Sequence, residues 1–270
     1  MPRLSGGILG FPDFRGFTRQ LVLWNLGAYF LLLILGVASG RFVAFVDVYL
    51  GLIPAMVLQH GFVWELGTYW IVHQGILNTL FELLSLWFLG SFLEDQHGSR
   101  WLGEIFFVSV IGSGLAGLAL AAALHDPNTL LYGCWGGIFG LLIAFGVLYA
   151  DMQFMMFPLP FMIKAKYLVA VYMLIMLAML FSAERVFAFS QLGGALFGYF
   201  YIKFAPRRGF AFAGTESLYG VRNRYYRWKR KQAAKKFQVY MKKQNRDVRF
   251  DENGKYIDPD QDPNDRSKWN

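Results

Sequence analysis

Residues 132–150 read YGCWGGIFGLLIAFGVLYA, a stretch without a single charged residue. A hydrocarbon core about 30 Å thick is crossed by about 20 apolar residues in a helix, so the stretch predicts a membrane span. Gly133 and Gly137 stand four residues apart in it, as do Gly136 and Gly140. Lipid gives helices no hydrophobic reason to associate, so small residues at this spacing predict a helix packed tightly on its neighbours.

Five further apolar runs lie on either side. They cover about Leu21–Ser39, Thr68–Phe92, Trp101–Leu124, Tyr167–Phe181 and Val186–Phe204. Gly112 and Ala116 in the third span, and Gly194 and Gly198 in the sixth, repeat the four-residue spacing. Backbone polar groups in lipid must be satisfied within the segment, so the expected fold is an all-α, polytopic bundle of six helices. Residues 40–66, interrupted by Asp47 and Pro54, read as an interfacial loop with short helices. The whole chain is 56% hydrophobic and 16% charged, with mean hydropathy +0.36, which excludes a soluble globular domain. Its one cysteine, Cys134, excludes an intrachain disulfide. The opening MPRLSGGILGFPDFRGFTRQ lacks the pattern of a cleaved signal, so the first apolar run is expected to stay as a span.

Charge sets the orientation. From Lys203 to Arg246 there are fourteen Lys or Arg against one acid, Glu216, although the chain as a whole is only +8. Positive residues near span ends stay on the cytoplasmic side, which places the tail there. Six spans then return the N-terminal segment, residues 1–20 with Arg3, Arg15 and Arg19, to the same side. Arg100, Lys164 and Lys166 fall in cytoplasmic loops under the same count. Within the 206–246 tail, Leu218, Val221, Tyr225 and Trp228 recur at helical spacing among Arg222, Arg224, Arg227, Lys229 and Arg230. A basic amphipathic helix of this kind next to a membrane is expected to lie on anionic lipid, with nucleic-acid binding the rival reading of the charge run. Residues 247–270 carry seven acids against four bases and are expected to be disordered.

Motif order then suggests a family. Trp64 closes the loop, His73 follows, and FLGSFLEDQHGS supplies Leu89, Gly90, Glu94, Gly98 and Ser99. YGCWGGIFGLL opens the fourth span, and QLGGALFG sets Gln191 three residues before Gly194 and seven before Gly198. In this order and on these spans, over about residues 60–205, the chain resembles the rhomboid family of intramembrane serine proteases. The resemblance implies a nucleophilic serine where this chain has Trp135 and a base histidine where it has Gln191. The oxyanion-side His and Asn positions fall on Asn78 and Glu82, and the usual loop Trp-Arg pair reads Trp64-Glu65.

An indole is no nucleophile, and an amide takes up no proton near neutral pH. Asn78 can still donate a hydrogen bond, whereas an ionised Glu82 would repel a developing oxyanion. Cys134 adjoins the serine position, but one helical residue turns a side chain by about 100°. Ser190, beside Gln191, lacks a base. The resemblance therefore implies a catalytically degenerate member that binds transmembrane clients or lipids through the cleft between the second and fifth spans, with Trp135, Gln191, Asn78, Glu82 and His73 lining it. A protease with a rewired centre is the first alternative, and lipid or ion transport past Glu82 the second. An intramembrane carboxylate is costly and tends to face the bundle interior or water, so Glu82 reads either as a polar site or as a hydrogen-bonded structural residue. His73 reads as structural. No carboxylate–histidine cluster has metal-ligand spacing and no phosphate loop is present, so no cofactor is expected. The compact set of spans suggests a bacterial inner membrane, although the endoplasmic reticulum obeys the same charge rule.

Overall fold

The computed structural model describes residues 13–155, 162–204, 210–243, 248–250 and 256–257. The chain runs α1 (Gly16–Ala38), α2 (Gly40–Leu50), α3 (Pro54–His60), α4 (Glu65–Thr68), a 3-10 turn (Tyr69–Ile71), α5 (Ile76–His97) and α6 (Ser99–Leu124). It continues through α7 (Trp135–Leu148), β1 (Gln153–Met155), β2 (Met162–Lys164), α8 (Ala165–Met179) and α9 (Arg185–Phe204). A second compact unit holds α10 (Phe210–Lys243), β3 (Arg249–Phe250) and β4 (Tyr256–Ile257).

The protein is a polytopic helical membrane protein, built on α1 and α5 to α9. Helices α1, α5 and α6 are each long and apolar enough to cross a membrane. Helix α7 has 14 residues and α8 has 15, so each extends only about 21–23 Å at 1.5 Å per residue. α7 is apolar on every side and sits among α5, α6, α8 and α9, as a helix without a polar face must. It therefore meets protein instead of lipid over most of its surface.

Small residues bring the central helices together. A Cβ on Gly194 would lie 2.3 Å from the backbone oxygen of Gly136, and one on Gly198 2.7 Å from the Cα of Gly140, so α7 and α9 touch backbone to backbone. Gly137 receives the Phe106 ring of α6, and Gly112 on α6 receives Phe197 of α9. Ser190 Oγ donates to the Ser113 carbonyl at 3.0 Å and lies 2.7 Å from Ser113 Oγ, a polar pin between α9 and α6. We expect Ser190→Ala to cost about 1 kcal/mol, read as a small fall in thermal midpoint in detergent. Apolar side chains on the outer faces, such as Trp24 and Ile34 on α1 and Leu174 on α8, are exposed as lipid contact requires.

Two spans begin later than the sequence predicts. The second span does not begin at Thr68. Residues 69–75 form the 3-10 turn and an extended connection, and α5 starts only after Gly75, held at φ 78°. The fourth span begins at Trp135, because Leu131 is tied to Leu52 by two backbone hydrogen bonds of 2.9 Å and keeps the preceding chain extended. Gly133 is consequently a turn glycine (φ 84°) and not a helix-packing one. The interfacial loop carries α2 to α4, as its composition implied.

The motif residue Glu94 has a clear physical role. Its carboxylate accepts the backbone N–H groups of Phe17 (2.6 Å) and Thr18 (2.8 Å) and the Ser99 hydroxyl. It thus satisfies two of the orphan donors at the start of α1 and fastens the turn into α6. Gly16, at φ 66°, leaves the room that a Cβ would take from this carboxylate.

In the second unit, α10 extends N-terminal to the helix expected over 218–241. Phe237 meets Phe250 edge-on at 6.2 Å, and Ala234 and Val248 are buried. The region expected to lack structure thus contributes two short antiparallel strands, pairing Arg249 with Ile257 and Phe250 with Tyr256. The apolar residues Val248, Phe250, Tyr256 and Ile257 flanking an Asn-Gly pair account for this. Trp228, Lys229 and Arg230 are exposed on α10, while the side chains of Arg222, Arg224 and Arg227, like Arg3 in the N-terminal segment, lie outside the described residues.

Candidate functional site

Three elements converge on the start of α7. Trp135 is its first residue and is half-buried. The indole Nε1–H donates to Asn78 Oδ1 on α5 at 3.2 Å. An indole nitrogen can only donate, so the amide oxygen of Asn78 must face it. The Asn78 nitrogen turns the other way, toward the Gln74 carbonyl at 3.5 Å. The expected donor is therefore an acceptor here, and its own N–H₂ points away from Trp135. That is the reverse of the polarity an oxyanion hole needs.

Gln191 lies on α9, one helical turn before the Gly194–Gly136 contact that joins α9 to α7. It is buried, at 5% exposure. α7 and α9 meet backbone to backbone at Gly136 and Gly194, next to Trp135 in sequence and one turn from Gln191.

Glu82 does not join them. It lies one turn beyond Asn78 on α5, is fully buried, and pairs with His73, Oε2 to Nδ1 at 2.9 Å. His73 Nε2 meets Asn25 Oδ1 of α1 at 2.7 Å, and the Asn25 amide nitrogen donates to the Leu21 carbonyl at 2.7 Å. Glu82 presses against Gly133, whose missing Cβ would lie 2.5 Å from Oε1. The carboxylate thus packs against the turn ahead of Trp135. Asn25 was absent from the sequence expectation. Its signal is an amide in the otherwise apolar run LVLWNLGAYF, where a polar group must find a partner.

Neither substitute nucleophile is placed for attack. Cys134 is wholly buried beside Glu82. Ser190 is buried and engaged with Ser113. The loop pair Trp64-Glu65 is also structural. Trp64 Nε1 donates to the Tyr49 carbonyl at 3.0 Å, and Glu65 Oε2 accepts the Ile53 N–H at 2.9 Å, at the start of α3.

Above the site, Gln74 donates to Asp47 of α2 at 3.3 Å. Burial pushes the Asp47 carboxyl above the ordinary carboxylate range, opposed by this hydrogen bond. The folded loop therefore holds the Asp47 proton more tightly than the unfolded chain does. That contribution favours the fold at low pH and is lost as pH rises through the folded value. Asp47→Asn should consequently flatten the acid side of the stability profile, with no loss at neutral pH, as measured by thermal unfolding across a pH series.

Helices α5 and α8 pack on α7 from different sides with little contact between them. Their outward faces carry Leu77, Leu80 and Phe81 on α5 and Val171, Leu174 and Ile175 on α8, all exposed. Trp135, the first residue of α7, is joined to α5 through its hydrogen bond to Asn78.

Comparison with protein families matches the Rhomboid domain over residues 60–208, more than half of the chain. The chain belongs to the rhomboid family. Among curated relatives, Rhomboid-like protein 19 of Arabidopsis thaliana is 28% identical over 187 residues, covering 66% of this chain and 60% of that protein. RHOMBOID-like protein 1 of the same plant is 32% identical over 88 residues, or 33% of this chain and 21% of that protein. The chain thus spans less than two thirds of the length of either relative. The matched region holds every element of the site from α5 to α9, and residues before 60, Asn25 and Asp47 among them, reach into it.

Proposed function

We propose that this rhomboid-family protein binds transmembrane segments of client proteins without cleaving them. The observation that carries the reading is the Trp135–Asn78 hydrogen bond at the nucleophile position. It replaces a reactive hydroxyl with an aromatic group anchored to the helix that would otherwise stabilise the oxyanion. Gln191 supplies no base, and Cys134 and Ser190 are buried and engaged, so acyl transfer has neither nucleophile nor proton acceptor. The exposed apolar faces of α5 and α8, with the half-buried Trp135, offer a surface to a client helix. A client helix entering there would pack on apolar side chains and on the Trp135 ring, which offers area and a polar handle together.

The test is photo-crosslinking in liposomes against a panel of single-span helices. Trp135→Ala should reduce crosslinking about tenfold for the helices that bind, equivalent to about 1.4 kcal/mol. Unchanged crosslinking across the panel would remove Trp135 from recognition.

The same reading places both termini on the cytoplasmic side, with the basic tail on anionic lipid, in a bacterial cell membrane. Labelling of single cysteines introduced near residues 13 and 230 in sealed, right-side-out vesicles should fail at both until the membrane is opened.

A further inference from the structure

Asn25, His73 and Glu82 form a polar chain enclosed by the bundle; Asn25 and Glu82 are fully buried and His73 is 4% exposed. The direction of every hydrogen bond in it follows from one fixed point. The Leu21 carbonyl can only accept, so the Asn25 amide nitrogen faces it and Oδ1 faces His73 Nε2. An oxygen acceptor 2.7 Å from Nε2 requires the hydrogen to be on Nε2. Nδ1 is then left facing Glu82 Oε2 at 2.9 Å. With a bare Nδ1 and an ionised carboxylate, two lone pairs would confront each other where water cannot intervene, and one buried negative charge would stand uncompensated.

We infer that His73 and Glu82 jointly bind one proton, held between Nδ1 and Oε2, and that this buried proton site ties α1 and α5 together beneath the turn that presents Trp135. With the proton on Nδ1 the pair is an imidazolium and a carboxylate, neutral as a unit. Neutrality is what a site within an apolar bundle demands. Among the described residues no Lys or Arg pairs with Glu82, so His73 supplies the only counter-charge.

Titratable groups face the pair from several packed elements. From α1 comes Tyr29, whose ring meets His73 edge-on at 6.5 Å. From the 3-10 turn comes Tyr69, whose hydroxyl is engaged by the Val110 carbonyl at 2.7 Å. Cys134 and Tyr132 lie on the Glu82 side, and Asp47 reaches the region only through Gln74. Since Glu82 also fills the space beside Gly133, proton occupancy fixes the backbone two residues before Trp135.

The experiment is nitrogen NMR of isotope-labelled imidazole on the full chain in nanodiscs. His60, His97 and His125, all exposed, are replaced by Asn so that His73 is the sole histidine. At a pH of about 7.5 a free imidazole is mostly neutral with one bare nitrogen. The expected spectrum shows a hydrogen on Nε2 and no bare Nδ1. In Glu82→Gln the side-chain amide donates to Nδ1 instead, so Nδ1 should become a hydrogen-bonded acceptor while Nε2 keeps its hydrogen. A bare Nδ1 in the parent protein, a hydrogen on Nδ1 with a bare Nε2, or an Nδ1 proton that persists in Glu82→Gln would each overturn the assignment. If the triple Asn variant does not fold, the same reading comes from labelled natural protein, where the His73 signals are the set that changes in Glu82→Gln.

Discussion

His73→Leu is expected to destabilise the bundle by about 3–5 kcal/mol, because it leaves Glu82 buried without a partner. Asn25 loses its donor in the same step, and α1 loses a tie to the rest of the bundle. The effect should be visible as loss of monodisperse protein in detergent and a large fall in thermal midpoint. Replacing His73 and Glu82 together by Leu should recover most of that loss, since removing both partners of a buried pair is often close to neutral. The comparison separates a cost of unpaired charge from a cost of lost packing. If the double variant is as unstable as the sum of its parts, the pair matters through its shape and not through its charge.

Gly194→Val is the second large effect. Its new Cβ would lie 2.3 Å from the backbone oxygen of Gly136 and 3.0 Å from the Gly136 Cα, and neither atom is the end of a flexible side chain. Relief requires α7 and α9 to separate, which also unseats the Gly140–Gly198 contact one turn on. We expect a loss of about 3 kcal/mol, at the upper end of overpacking costs. Gly27→Ala on α1 serves as the control, because nothing lies within 4 Å of its Cβ position. Equal thermal midpoints for Gly194→Val and Gly27→Ala would show that the two helices are not held by backbone contact.

The sequence carried the architecture well. Helix packing through Gly136, Gly137, Gly140, Gly194 and Gly198 was legible because four-residue spacing of small side chains has one physical meaning in lipid. The family followed from Glu94 and its neighbours, although the reason for Glu94 was not legible. Its partners, the backbone groups of Phe17 and Thr18, lie nearly eighty residues away. The same distance effect explains why the partners of Asn78 and Glu82 were not legible. The two share a helix face, so spacing alone puts both toward the same neighbours. Trp135 takes the oxygen of one, and His73, positioned by Asn25, draws the other beneath the turn. Gly133 looked like a packing residue because spacing cannot reveal that the chain enters α7 in extended form, held by Leu52. Hydropathy likewise ran through Thr68–Ile71 without marking that a 3-10 turn precedes α5.

The central claim is that the rhomboid cleft is retained while its chemistry is lost at Trp135 and Gln191. Its most direct test is cleavage of a generic single-span rhomboid substrate in liposomes, comparing the natural protein with a Trp135→Ser/Gln191→His variant. The account predicts no cleavage by the natural protein and measurable cleavage by the variant, since the helix packing that aligns the two positions is in place. Cleavage by the natural protein would contradict it.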